Sequence, residues 1–340
     1  MTENSAIEWT THTFNPWIGC QKVGPGCDHC YAETWDSRGL QQRESRWGPH
    51  AARTRTSAGN WSKPLAWNRA AEWEAERPRV FCASLADVFD NHPSVDPQWR
   101  QDLWALIKAT PNLDWMLLTK RPGNIEWMLP DDWGTGYSNV WLGCTVVNQE
   151  EADRDIPKLL DVPAAVHFLS MEPLLGPVDL LHLRRYNPKG EPWINALRGL
   201  VTRGQYLARS PNECSFATST RCIPPELPAI DLVIVGGESG KKARPMHPDW
   251  ARSLRDQCVA AGTAFFFKQW GEWAPAMHDP EYGGHVLRQT EPVGPFDSWK
   301  ANAYDPDRLE GVNWRRIGKK AAGRMLDGRT WDEMPQGDPQ

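Results

Sequence analysis

The chain predicts an α/β fold, a partial or full (βα) TIM-like barrel of about six to eight parallel strands. Two observations predict it. Short, continuously apolar runs alternate with segments of helical periodicity, and nearly every apolar run ends in polar residues. A strand that is apolar throughout is buried on both faces, as in a parallel sheet covered by crossover helices.

Six such runs follow one another: Arg79–Asp90, Leu113–Pro122, Val140–Gln149, Ala165–Pro173, Asp231–Gly240 and Thr263–Gly271. A seventh strand is expected beside a cysteine-rich loop near the start. Residues 31–78 read as helix and polar connection. Between the later runs, Asp96–Thr110 carries Trp99, Leu103, Leu106 and Ile107 at helical spacing. Gln149–Leu160 is a second helix, limited by Pro157, and Pro248–Ala261 a third, with Trp250, Leu254 and Cys258 four apart. A short helix is expected near Gly318–Met325. Residues 1–275 are thus assigned to the barrel, with the cysteine loop at 12–33 and an insertion at about 184–229 rich in Pro, Arg, Ser and Asn. Cys214 and Cys222 lie in that insertion. Residues 276–340 form a loop-rich extension, locally basic through Arg315, Arg316, Lys319, Lys320, Arg324 and Arg329.

In parallel α/β folds the C-terminal strand ends form the active face. Here they carry Ser84 and Asp87, Thr119–Arg121, Thr145 and Asn148, Ser170 and Glu172, Glu238 and Ser239, and Lys268 and Gln269. Six polar strand ends in succession point to one shared pocket. With 340 residues, 40% hydrophobic and 24% charged, the composition is that of an ordinary globular protein, and a net charge of -5 excludes a uniformly basic surface. No apolar run approaches the ~18 residues of a membrane span, and the first residues are polar and acidic, so a cytoplasmic protein without a membrane partner is expected. Eight cysteines in such a chain point to thiols or metal ligands rather than a disulfide framework. Twenty tryptophans supply packing, and a share of them can line a site.

Cys20, Cys27 and Cys30 fall within eleven residues, on a loop whose Gly19, Gly24, Pro25 and Gly26 leave little side-chain bulk. Such a backbone can wrap an inorganic cluster and aim N–H groups at its sulfides. Three thiolates on a four-iron cluster leave one iron open. A zinc knuckle is an alternative, with a fourth ligand from His29, His12 or a distant cysteine. So are a redox pair Cys27/Cys30 and a cluster used only for structure or electron transfer. Cys82 and Cys144 lie inside apolar strands and read as buried thiols.

A three-cysteine loop opening a βα barrel, with Tyr31 directly after the last cysteine, resembles the radical S-adenosylmethionine superfamily. The spacing Cys20-x6-Cys27-x2-Cys30 differs from that superfamily's commonest loop, Cys-x3-Cys-x2-Cys. Further segments extend a likeness over most of the chain: Asn15–Cys20, Pro25–Glu33, Leu118–Pro122, Ser170–Gly176, Val235–Gly240 and Phe267–Gly271. In these the chain is similar to a phage and bacterial family of three-Cys-motif proteins of uncharacterised function. The superfamily resemblance implies a [4Fe-4S] cluster on Cys20, Cys27 and Cys30. It also implies S-adenosyl-L-methionine on the open iron and an electron donor such as flavodoxin or ferredoxin. The reaction implied is reductive cleavage to a 5′-deoxyadenosyl radical that abstracts hydrogen from a substrate.

On that resemblance Ser84 or Asp87 holds the methionine amino group. Lys120 and Arg121 take the cofactor carboxylate or a substrate phosphate. Gly236, Gly237 and Glu238 contact ribose, adenine or substrate, and Thr145 and Ser170 complete the pocket. Glu172 and Lys268 serve in ribose binding, substrate binding or proton transfer. The basic tail and the tryptophans lean toward a nucleobase or nucleic acid as substrate, beside a small metabolite or a peptide. The alternative of a different class is a zinc-stabilised nucleic-acid-binding or scaffold protein without catalysis.

Overall fold

The computed structural model describes residues 5, 7–38, 44–184, 193–202, 227–275 and 314–335. Its centre is one seven-stranded sheet, in which every pairing is parallel. The strands are β1 (His12–Phe14), β2 (Arg79–Cys82), β3 (Asp114–Thr119), β4 (Val140–Thr145), β5 (Val166–Met171), β6 (Leu232–Gly236) and β7 (Ala264–Gln269). Spatial order follows chain order from β1 to β7. The sheet curls into a half-barrel, a partial TIM-like barrel as the alternating pattern predicted. All six apolar runs became strands, and the seventh, β1, leads into the cysteine loop.

Each crossover that carries a long helix has a legible start. Helix α1 (Tyr31–Ser37) follows the cysteine loop directly. Helix α2 (Pro97–Lys108) joins β2 to β3; Asp96 caps it by accepting from the Gln98 N–H at 2.9 Å, and Pro97 occupies the first turn. Helix α3 (Gln149–Leu160) joins β4 to β5, capped by Asn148 accepting from the Glu151 N–H at 2.9 Å. Pro157 lies in its last turn, where a proline removes one helical hydrogen bond, and the helix continues to Leu160. Helix α4 (Pro248–Ala261) joins β6 to β7 and stops at Gly262, whose φ of 78° is the left-handed C-terminal cap. The insertion predicted between β5 and β6 contributes a three-stranded antiparallel sheet, Leu183–Arg184, Trp193–Asn195 and Leu200–Thr202. Cys214 and Cys222 fall outside the described residues. The expected C-terminal helix is one turn, Lys319–Ala322. Beyond it, residues 331–333 run along β7, with Phe267 N–H donating to the Trp331 carbonyl at 2.8 Å.

Alternation along the strands builds two cores. One set of side chains, including Val80, Cys82, Trp115, Leu117, Leu142, Cys144, Val233, Phe265 and Phe267, packs with Leu103, Ile107, Ile156, Leu159 and Leu254 from the helices. The alternate set, Phe81, Met116, Trp141, Phe168, Leu232, Ile234 and Phe266, meets Trp9 in a separate cluster on the inner face. The same alternation sends Leu118, Lys120, Thr145, Ser170, Glu172 and Lys268 to the inner side nearer the strand C-termini. An apolar floor therefore lies beneath a polar rung. Cys82 and Cys144 are fully buried core thiols, as predicted, and burial raises both well above the usual thiol range. Among the described residues no helix is long and apolar enough to cross a membrane.

Gly143 on β4 leaves room for the Phe168 ring: a Cβ there would meet three ring carbons at 2.5–2.6 Å. Gly143→Ala is expected to destabilise the fold by about 1–3 kcal/mol through overpacking. A urea midpoint equal to that of the parent chain would show that the inner face has slack.

Candidate functional site

The cysteine loop lies across the C-terminal mouth of the half-barrel, and three contacts fix it there. At the β3 end, Arg121 donates to the Gln21 carbonyl at 3.0 Å and to Cys20 Sγ at 3.6 Å. At the β4 end, Gly26 passes so close that a Cβ would sit 2.8 Å from Val147 Cγ1. Beyond β6, Arg244 donates to the Pro25 carbonyl at 3.0 Å and to Asp28 Oδ2 at 3.1 Å. The loop's start is tied as well. Asn15 Oδ1 accepts from Leu85 N–H at 2.6 Å, and its Nδ2 donates to the Ser84 hydroxyl at 3.0 Å.

Both arginines are themselves held by buried carboxylates. Arg121 pairs with Asp87 at 2.9 Å, and Arg244 pairs with Glu238 at 2.7 Å. Asp87 accepts from four donors: the Phe89 N–H, the Thr119 hydroxyl, the Lys120 N–H and Arg121. Four donors fill the lone-pair sites of a carboxylate. Glu238 receives the Arg244 backbone N–H, Nε and Nη2, and His29 Nδ1 lies 3.1 Å from it. Asp87, Arg121 and Glu238, three residues expected to touch a cofactor, are therefore engaged in holding the cysteine loop. Arg244 was not singled out in the sequence. Its signal is faint, a lone arginine six residues beyond Glu238, whose partner is set by the turn between them.

The Gly-Gly-Glu segment has a packing reason for both glycines. A Cβ on Gly237 would collide with the Trp270 carbonyl oxygen, and one on Gly236 would press on the Glu172 side chain at 3.2 Å. The ends of β6 and β7 thus meet backbone to backbone.

Beneath the loop lies a cleft of about 360 Å³. Its lining includes Cys20, Cys27 and Cys30 together with Ser84, Asp87, Lys120, Arg121, Thr145, Ser170, Glu172, Gly237, Glu238 and Lys268. Every candidate site residue except Gly236 faces this one space. Trp9, Tyr31, Trp47, Phe81 and Leu118 add apolar and aromatic walls. Lys268 Nζ lies 2.6 Å from Glu172 Oε2, and Gln269 Nε2 donates to the other carboxylate oxygen at 2.9 Å. Lys120 Nζ donates to the Thr145 hydroxyl at 3.3 Å and has no carboxylate ion pair among the described residues.

Cys27 is buried, while Cys20 and Cys30 are partly exposed. Burial pushes the Cys20 thiol up to about 11, with the Arg121 guanidinium pulling the other way. Among the described residues, no three His, Cys, Asp or Glu side chains converge on the position of a single ion. The three thiols share a cavity rather than a point. Thiolates are the donors of a polynuclear iron–sulfur cluster, which takes each on a separate iron, and also of a tetrahedral zinc, which takes four convergent ligands.

These features belong to a parallel α/β half-barrel with a thiol-bearing cleft at its C-terminal mouth. Residues 4–335 match the family described as protein of unknown function DUF5131, and the chain belongs to that family. No curated protein and no solved structure matches it significantly.

Arg244→Ala leaves the Glu238 carboxylate buried without its cation, an expected cost of about 3–5 kcal/mol in urea unfolding. It also frees the Pro25–Asp28 side of the loop, so in reduced, metal-free protein Cys27 should alkylate faster than in the parent. Unchanged stability and unchanged alkylation together would show that Arg244 does not hold the loop.

Proposed function

We propose that the protein is an iron–sulfur enzyme of radical S-adenosylmethionine type. The carrying observation is the meeting of three thiols from one short loop with the polar ends of six parallel strands in a single cleft. Cys20, Cys27 and Cys30 would hold a [4Fe-4S] cluster. When bound and reduced by an external donor such as flavodoxin or ferredoxin, such a cluster would supply the one electron for reductive cleavage of S-adenosylmethionine to methionine and a 5′-deoxyadenosyl radical, which would take hydrogen from the substrate.

The chain's own groups have separable tasks. Arg121 and Arg244 hold the loop in register with the strand ends. Among the described residues Lys120 makes no direct carboxylate ion pair in the cleft, Glu151 acting on it only at longer range, so it is the group for the methionine carboxylate. The hydroxyls of Ser84, Thr145 and Ser170 surround the same space and offer donors and acceptors to the amino group and ribose. Glu172 and Lys268, 2.6 Å apart, form a pair through which a proton can pass at the cleft wall. The apolar residues Trp9, Phe81 and Leu118 keep water from the reacting centre.

Protein purified without oxygen should be brown and hold about four irons. With S-adenosylmethionine and a reductant it should form 5′-deoxyadenosine. Cys27→Ala should lose the iron and the product while keeping the far-ultraviolet circular dichroism of the parent. Colourless parent protein with one zinc would instead support the zinc-stabilised binding protein and refute this reading.

A further inference from the structure

Ion pairing inside the cleft is nearly closed. Arg121 is matched by Asp87, Arg244 by Glu238 and Lys268 by Glu172. The cleft rim is different. Lys241 and Lys242 are exposed and directly follow Ser239 and Gly240, and Ser239 lines the cleft. Lys319, itself a lining residue, and Lys320 open the one-turn helix Lys319–Ala322, both exposed. The two segments are held together. Arg316 Nη2 donates to the Gly240 and Lys241 carbonyls at 3.1 and 2.8 Å, and the Ile317 and Gly318 N–H groups both donate to the Glu272 carbonyl at 3.1 Å. Glu272 in turn accepts from the Gly240 N–H at 3.2 Å. Of the four lysines only Lys319 has a carboxylate nearby, Glu8 at 3.9 Å. Lys241, Lys242 and Lys320 have none among the described residues.

Four lysines on two cross-tied segments at one edge of the cleft stand out in a chain whose net charge is -5. Phosphate recognition needs such a local excess of cations. The cleft that they border offers the exposed Tyr31 and the partly exposed Trp47, rings on which a base can stack, above the buried Trp9 and Phe81. The polar rung lies below the mouth, so a base still stacked in a duplex would not reach it.

We infer that the rim formed by Lys241, Lys242, Lys319 and Lys320 carries the phosphates of a single-stranded nucleic acid while one unstacked base enters the aromatic cleft. This names the substrate class of the proposed enzyme and rests on that reading only for the reaction, since strand binding itself needs no cofactor.

The test is fluorescence anisotropy of the anaerobically purified protein with labelled single-stranded DNA, single-stranded RNA, duplex DNA and a fully abasic strand, across a salt series. Either single strand should bind more tightly than duplex or abasic strand, and the preferred sugar identifies DNA or RNA. For single strands, log K falls with log salt by about 0.7 per neutralised phosphate. The doubly substituted Lys241→Glu/Lys242→Glu and Lys319→Glu/Lys320→Glu chains should each flatten that slope by roughly 1.4. Tyr31→Ala should weaken the base-bearing strand about fivefold or more and leave the abasic strand unchanged. Equal binding by parent and both lysine variants, tighter binding of duplex, or no strand binding at low salt would overturn the inference. If 5′-deoxyadenosine still forms while strand binding is absent, the strand surface alone is wrong. If strands bind as expected but no 5′-deoxyadenosine forms, the reading of the reaction fails and the strand surface stands.

Discussion

The ion pair between Arg121 and Asp87 is the interaction on which the cleft depends. Both side chains are almost fully buried. Burying two charges is costly, and in water-poor surroundings an ion pair is retained at a net gain only when the remaining donors and acceptors are satisfied. That condition is met here from two directions. Asp87 receives donors from β3 as well as from its own turn, and Arg121 gives its other hydrogens to the cysteine loop. A second buried pair lies just behind, where Arg53 meets Asp90 at 2.9 Å with both side chains fully enclosed, and Asp90 approaches Arg121 at 3.8 Å. The ends of β2 and β3 and the start of the loop are thus joined by one run of alternating charges.

Arg244 and Glu238 repeat the device on the far side of the mouth. The symmetry is functional in form: a loop of glycines, proline and thiols has few side chains of its own with which to pack, so the barrel supplies the fixing groups. Each arginine reaches a backbone carbonyl of the loop and one of its side chains, Arg121 the Gln21 carbonyl and Cys20 Sγ, Arg244 the Pro25 carbonyl and Asp28 Oδ2. The loop sequence between the anchors is thereby free to be small, and small is what Gly26 must be where it passes Val147.

Much of this was legible in the sequence, and the reasons are local. Runs such as Leu113–Pro122 and Asp231–Gly240 announce strands because apolar residues on both faces admit little else. Their polar ends announce a shared mouth because parallel strands must all point the same way. What could not be read was which polar group is free and which is occupied. Asp87 and Glu238 have the chemistry to bind an ammonium or a diol, yet each is filled by an arginine whose approach depends on a neighbouring strand end or on the turn after β6. The same holds for Gly236 and Gly237: the motif suggests a ligand, while the obstacle each glycine avoids, Glu172 or Trp270, comes from another strand. Arg244, the largest omission, has no sequence partner until the chain is folded. Lys120 and Lys268 are the reverse case, since their places at strand ends already put them in the cleft.

The threefold fixing of the cysteine loop bears on how an inorganic group would enter it. In small metal-folded domains the site does not exist until the ion arrives, and binding and folding are one event. Here carbonyls at Gln21 and Pro25 are held by arginines that belong to the barrel, so the loop's shape is set by protein alone. On that arrangement the conformational entropy of the loop would be lost as the chain folds, ahead of any metal binding. If the proposed cluster is bound, such a chain would act as a finished mould: folding would come first and the cofactor second, and the selectivity of loading would rest on the fit of the incoming group to the cavity.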